Sequence, residues 1–351
     1  MRYLLSGLLL LTGLAACGPA SRTVTPAFYH WKTTLNLTAP EKATLDSLGV
    51  KKLYIRLFDI TRNAYTGEVG PAGILEKPEQ WPSEYEIIPV IYITNEAVAA
   101  TPADQAMATL SENIIGFATL IVKDIPIREI QIDCDWSEST RERFFQLMAM
   151  MQLRLNHEKP GVLLSSTIRL HQVKYYEKTG VPPVNKGTLM LYNMGDVADP
   201  GTENSILDLD VTRDYLVNFD KYPLPLDVAL PAYGWTVVLR DNKPLKLLNI
   251  SDLSILETDT ARFAPDSVAQ RYRVRRSTFV NGFYLYKDDI LRPEQVTQEA
   301  LTQLADLVSP VIRNPNLTVT FYHLTPQTIS TYPYVFLEKI CRRFRSADPA
   351  P

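Results

Sequence analysis

Short runs in which apolar and polar residues alternate recur along most of this chain. Between them lie longer segments with apolar residues at three- and four-residue spacing. The short runs predict strands at 27–35, 52–60, 86–96, 129–136, 162–170, 188–194, 227–235 and 317–324. The longer segments predict helices. "APEKATLDSLGV" opens with Pro40 and Glu41 and stops at Gly49. Residues 103–124 and 139–156 follow, the second capped by Ser139 or Thr140, and 292–308 carries Pro293 in its first turn. Strands separated by helices predict parallel βαβ units. Eight of them predict a closed (β/α)8 TIM barrel, an α/β fold. The alternative, a doubly wound open sheet, lacks a glycine-rich phosphate loop after the first strand. Residues 236–290 are too many for a structureless connection. They predict a small β-rich insertion after strand seven, dividing the barrel into 27–235 and 291–351.

In a closed barrel alternate residues of a strand point inward. That parity puts Gln131, Asp133 and Asp135 inside and leaves Ile130, Ile132, Cys134 and Trp136 against the helices. It also sends in Tyr54, Arg56 and Phe58, then Glu96, Thr167, Arg169, Tyr192, Asp227, Tyr233 and Tyr322. Burying charges costs several kcal/mol each unless they are paired, and Arg56 and Arg169 are the cations available to Asp133 and Asp135. One outcome is a structural ion network that plugs the barrel. The other is a site at the carboxyl ends of the strands, where close carboxylates hold one protonated acid beside one base. Trp31, Tyr192, Tyr233 and Trp235 fall near the same ends and offer faces on which sugar rings stack.

Composition narrows the partners. A net charge of −3 gives no electrostatic footprint for nucleic acid. The few histidines and the spacing of Cys134 and Cys341 suggest no metal site, no cofactor motif is present, and neither cysteine is expected in a disulfide. The chain opens "MRYLLSGLLLLTGLAACGPAS", one Arg and then an apolar run too short for a stable span. "LAAC" resembles the lipobox of bacterial lipoproteins. That resemblance implies that 1–17 comprises a signal peptide and the lipidated Cys, with cleavage before Cys17 and acylation of Cys17 with palmitate-type chains. Several such chains anchor a protein stably to a membrane. Gly18 stands where an Asp often retains such proteins at the inner membrane. A lipid anchor in the outer membrane, facing the periplasm or the cell surface, is therefore expected, with 18–26 as tether.

Three motifs carry a second resemblance. "IQIDCDWSE" resembles the D-x-x-D-x-D-x-E strand of family-18 glycoside hydrolases, "LMLYNMGD" their M-x-Y-D segment, and "VALPAYGW" their G-x-P-x-Y-G segment. Those enzymes also carry an insertion after strand seven. The resemblance implies an oligo- or polysaccharide partner, tuning roles for Asp133 and Asp135, and a substrate-positioning role for Tyr192. The sequence departs from the pattern at Ile130, at Asn193 and at Ser137, where the family has its acid. Glu138 and Glu96 are the remaining candidates for a proton donor. A glycoside hydrolase, a non-catalytic glycan-binding protein and a cell-envelope scaffold with a degenerate barrel all stay open.

Overall fold

The computed structural model describes residues 22–102, 104–199, 201–250 and 253–346. Cys17, the signal segment and the first part of the tether lie outside the described residues.

Eight parallel strands form the barrel: Thr23–His30, Lys52–Arg62, Glu86–Ile93, Glu129–Asp133, Leu163–Arg169, Lys186–Met190, Leu226–Pro231 and Asn316–Tyr322. Each pairs with the next, and the first also pairs with the last, so the ring is closed. Closure leaves no unpaired barrel edge. Helices pack outside, among them Ala39–Leu48, Gln105–Ile121, Arg141–Glu158, Gln298–Val308 and Tyr334–Ser346. The main apolar core lies between the two layers, where Ile130, Ile132, Phe144, Leu301 and Leu337 are fully buried. Among the described residues no helix is long and apolar enough to cross a membrane.

Strand ends differ from the sequence expectation for identifiable reasons. The first strand begins at Thr23, inside the expected tether. Over residues 23–26 it has only the last strand as partner, because pairing to the second strand starts at Ala27. Pro26 is tolerated there, as at a sheet edge. Arg22 is buried just before it and donates to the carbonyls of Ser309, Phe344 and Ile312. The third strand stops at Ile93 because Thr94 caps a short helix, Asn95–Ala100, accepting from Ala97 N at 3.2 Å. Glu96 therefore lies on a helix rather than at a strand end. The fourth strand stops at Asp133, so Asp135 and Trp136 belong to the loop beyond it. Pro293 lies in the strand Ile290–Gln295, not in a first helical turn, and the last long barrel helix before strand eight is capped by Thr297.

A β-bulge changes the second strand. Arg56 pairs with Val90 and Phe58 with Ile91, leaving Leu57 as the extra residue. Past that point the parity flips. Phe58, expected inside, packs instead on Phe117 of the helix Gln105–Ile121, with ring centroids 4.8 Å apart. Asp59 takes the register position opposite Tyr92. A short strand, Val69–Ala72, then folds back antiparallel on the end of strand two.

Between Gly234 and Gln295 the chain builds a five-stranded antiparallel sheet with its own apolar core. Trp235 lies on its first strand, Gly234–Arg240, because the seventh barrel strand ends at Pro231. A buried pair ties this sheet to the barrel loops. Arg292 Nε donates to Glu294 Oε1 at 2.7 Å, and Ser205 N and Trp235 Nε1 each donate to Glu294 Oε2 at 2.8 Å.

Candidate functional site

Two layers of charge occupy the barrel. Near the amino ends of the strands, Lys186 Nζ lies 2.9 Å from Glu129 Oε2 and 2.8 Å from Asp227 Oδ2. Ser165 donates to Glu129 at 2.6 Å, while Asn314 and the Thr318 N–H donate to Asp227 at 3.0 and 2.8 Å. Each carboxylate is paired and hydrogen-bonded, which is what a buried charge requires. Above it, Tyr29 donates to Gln131 at 2.6 Å and Gln131 to Thr188 at 2.9 Å.

The second layer lies at the carboxyl ends. Asp133, the last residue of strand four, is buried and accepts from Thr167 Oγ1 at 2.7 Å. Burial pushes its carboxyl from 3.8 up to about 6; the charges on Asp135 and Asp59 add to the rise, and Arg169 opposes it. Arg169, the last residue of strand five, grips Asp135 with two nitrogens, Nε on Oδ1 and Nη2 on Oδ2, the latter at 2.8 Å. Burial works against the guanidinium charge, yet Asp135 and Asp133 outweigh it and hold Arg169 above its usual value. His171 beside it is held below its ordinary 6.5 by partial burial and by the Arg169 charge. Tyr92 is pushed up to about 12 by burial and by the two aspartates.

Arg56 does not reach Asp133 or Asp135. It pairs with Asp59 instead, Nε on Oδ1 at 2.6 Å and Nη2 on Oδ2 at 2.5 Å. Gly73 makes room for that pair. Its φ is +54°, and a Cβ there would collide with Arg56 Nη2 and lie 3.3 Å from Asp59 Oδ2. Asp59 was missed from the sequence because period-two counting carries no sign of the bulge.

The aromatic residues converge on Tyr322, the last residue of strand eight. Its ring centroid lies 5.1 Å from Tyr192, 5.4 Å from Tyr233, 5.5 Å from Trp31 and 5.7 Å from Tyr29. Trp235 joins through Tyr233 at 5.4 Å, and Tyr233 donates to Asn193 at 2.7 Å. Parity marked Tyr322 as inward. Nothing local distinguished it from a core residue. Trp136 is buried and stacked on Phe144, with ring centroids 5.0 Å apart.

A cavity of about 430 Å³ opens beside this layer. Polar Asp135, Ser137, Arg169, His171 and Asn193 line it together with apolar Leu170, Met190, Met194 and Val211. Tyr192 also lines it, with its hydroxyl buried and unpartnered, and Arg169 Nη1 is likewise buried without a partner. Glu138 and Glu96 are exposed, and neither lines the cavity. Among the described residues no group of three His, Cys, Asp or Glu side chains converges as metal ligands.

A closed ring of eight parallel strands with helices packed outside is a (β/α)8 barrel. Solved structures agree with that fold. The spore cortex-lytic enzyme SleL of Bacillus megaterium QM B1551 superposes with a TM-score of 0.57 at 14% identity, covering 92% of this chain and 75% of that one. A chitinase from Chromobacterium violaceum ATCC 12472 gives 0.53 at 13% identity, covering 91% and 99%. The GH18 chitinase ChiB of Flavobacterium johnsoniae gives 0.51 at 12%, covering 93% and 94%. No family model matches the sequence, and no curated protein matches it. At these identities the likeness is one of fold.

Proposed function

We propose that the mouth of this barrel binds a polysaccharide chain, and that it does so without cleaving it. The observation that carries the reading is the state of the carboxyls at the mouth. Asp135 is clamped by Arg169, Asp59 is clamped by Arg56, and Asp133 is buried beneath them on Thr167. A carboxylate held in two hydrogen bonds to a guanidinium is a poor proton donor. Ser137 stands at the position of the family's acid, and neither Glu138 nor Glu96 lines the cavity. What remains is a binding surface: an amphipathic cavity beside a cluster of rings suited to sugar faces. The chitinases and the cortex-lytic enzyme that share the fold support a polysaccharide as partner.

A second reading, hydrolysis, is favoured by one observation. Asp133, held near 6, keeps a proton at mildly acidic pH beside a second carboxyl, Asp135. Affinity electrophoresis through chitin oligomers, peptidoglycan fragments and plant and host glycans, run with a reducing-end assay, separates the two. Retention without new reducing ends is expected. Reducing ends that disappear in Asp133→Asn establish hydrolysis instead, and failure of every glycan to retard the protein overturns both.

The "LAAC" segment supports a lipid anchor on Cys17 at the outer membrane. Metabolic labelling with radioactive palmitate tests it: label on the wild type that is absent from Cys17→Ser is expected, and an unlabelled wild type refutes it.

A further inference from the structure

We infer that the cavity beside Asp135 takes an acidic sugar, whose carboxylate binds Arg169 in exchange for Asp135. The inference rests on the polysaccharide reading and names the class of glycan.

Arg169 is the one permanent cation among the described residues that line this cavity. A guanidinium presents five N–H donors in a rigid fork. Asp135 takes donors from Nε and Nη2, while Nη1 is buried with no partner. Tyr192, whose ring centroid lies 5.9 Å from Arg169 Cζ, also has a buried hydroxyl with no partner. A buried donor without a partner keeps the cost of its lost hydration until an acceptor arrives. Both donors belong to residues that line one cavity, and neither has an acceptor. A carboxylate brings two oxygens and a charge, and meets them better than a hydroxyl does.

The exchange is cheap on the protein's side. The Asp135 side chain is 48% exposed, on a loop past the strand end, whereas that of Arg169 is 15% exposed and fixed at the end of strand five. The half-exposed carboxylate is the partner that solvent can take back when a second anion arrives. Asp135 can swing into solvent, and an incoming carboxylate leaves the charge of the pair unchanged. Asp133 lies below; its carboxyl keeps a proton more readily than usual, which lessens repulsion of a second anion. Hydrophobic contact remains for the sugar ring on Met190 and Tyr215.

Titration calorimetry on the folded chain tests this with matched pairs: tetragalacturonate and a hyaluronan tetrasaccharide, each against its carboxyl-reduced counterpart. A chitin tetramer serves as the neutral control. At least one acid is expected to bind tenfold or more tighter than its reduced form. Asp135→Asn, a same-size exchange at a half-exposed position, widens that preference because it frees Arg169. Arg169→Met abolishes it. Equal binding of every acid and its reduced form overturns the inference, as does an Asp135→Asn variant whose preference narrows. Binding of the neutral tetramer alone overturns the acidic-sugar assignment and leaves the polysaccharide reading standing. Binding of none overturns both.

Discussion

Replacing Asp133 by Asn should make the protein more stable at neutral pH, although Asp133 hydrogen-bonds to Thr167. The folded chain raises this carboxyl from 3.8 to about 6, chiefly through burial. Asp133 thus holds its proton more tightly folded than unfolded. Its favourable contribution is full below the unfolded value and is lost as pH rises through about 6. Each unit of difference is worth about 1.4 kcal/mol, so ionising Asp133 in the native state costs about 3 kcal/mol above pH 7. Near pH 4.5 only about 1 kcal/mol of that cost is present, because the folded carboxyl is still protonated. Asn carries no such term. Urea unfolding of wild type and Asp133→Asn at pH 4.5 and pH 8 isolates it, since other titrating groups are common to both. The variant should gain about 2 kcal/mol on the wild type between the two conditions. The lost Thr167 contact and any change at Arg169 add an offset that varies little with pH. A difference that stays flat refutes the burial argument. A difference that shrinks with pH places the carboxyl below its ordinary value and reverses the sign of the electrostatics at the mouth.

Three further outcomes follow from the charge layers and the strand geometry. Lys186→Met leaves Glu129 and Asp227 buried without their cation and should cost about 3–5 kcal/mol in urea unfolding, with most of it recovered when Glu129→Gln and Asp227→Asn are added. A loss under about 1 kcal/mol for the single change would dismiss the network as a structural element. Gly73→Ala should lower stability by about 1–2 kcal/mol, since an L-residue pays for the left-handed backbone and its Cβ displaces Arg56; unchanged thermal unfolding contradicts it. Glu96→Gln and Glu138→Gln should leave glycan retention as it is in the wild type, and a loss with either would put that carboxyl back in the site.

The barrel was readable because its signal is repeated: eight apolar runs and the helices between them all require the same closed parallel ring. Parity put Asp133, Arg169 and Tyr322 on one face because strands four, five and eight are regular over those residues, whereas Tyr192 lies two residues past the end of strand six, Lys186–Met190. It failed at strand two, where a bulge after Arg56 turned Phe58 out and placed Asp59 as the partner of Arg56. It was overextended at Glu96, where Thr94 capped a helix in place of a further strand residue. The pairing of Arg169 with Asp135 is a loop-to-strand contact, and no local pattern encodes such a contact. Nor does local sequence reveal Glu129 and Lys186 as the partners of Asp227, since they lie on three strands.

The contrast between the two charge layers bears on function. At the amino ends, Glu129, Lys186 and Asp227 each have at least two partners, and nothing in the trio asks for a ligand. At the carboxyl ends the same barrel leaves Arg169 Nη1 and the Tyr192 hydroxyl unpartnered and holds Asp133 above its ordinary range. Both layers lie in one closed ring, so the shape of the fold does not explain the difference. A chain that satisfies its buried charges at one end and leaves donors open at the other retains a local cost at the mouth. Costs of that kind gather where a protein meets something other than itself. The open donors are cationic and phenolic, the adjoining rings are flat and apolar, and the carboxylate that answers them is the most exposed member of the group. A ring-shaped ligand that carries its own acid meets each of these conditions, whereas a neutral sugar leaves Asp135 in place and the Nη1 donor unmet.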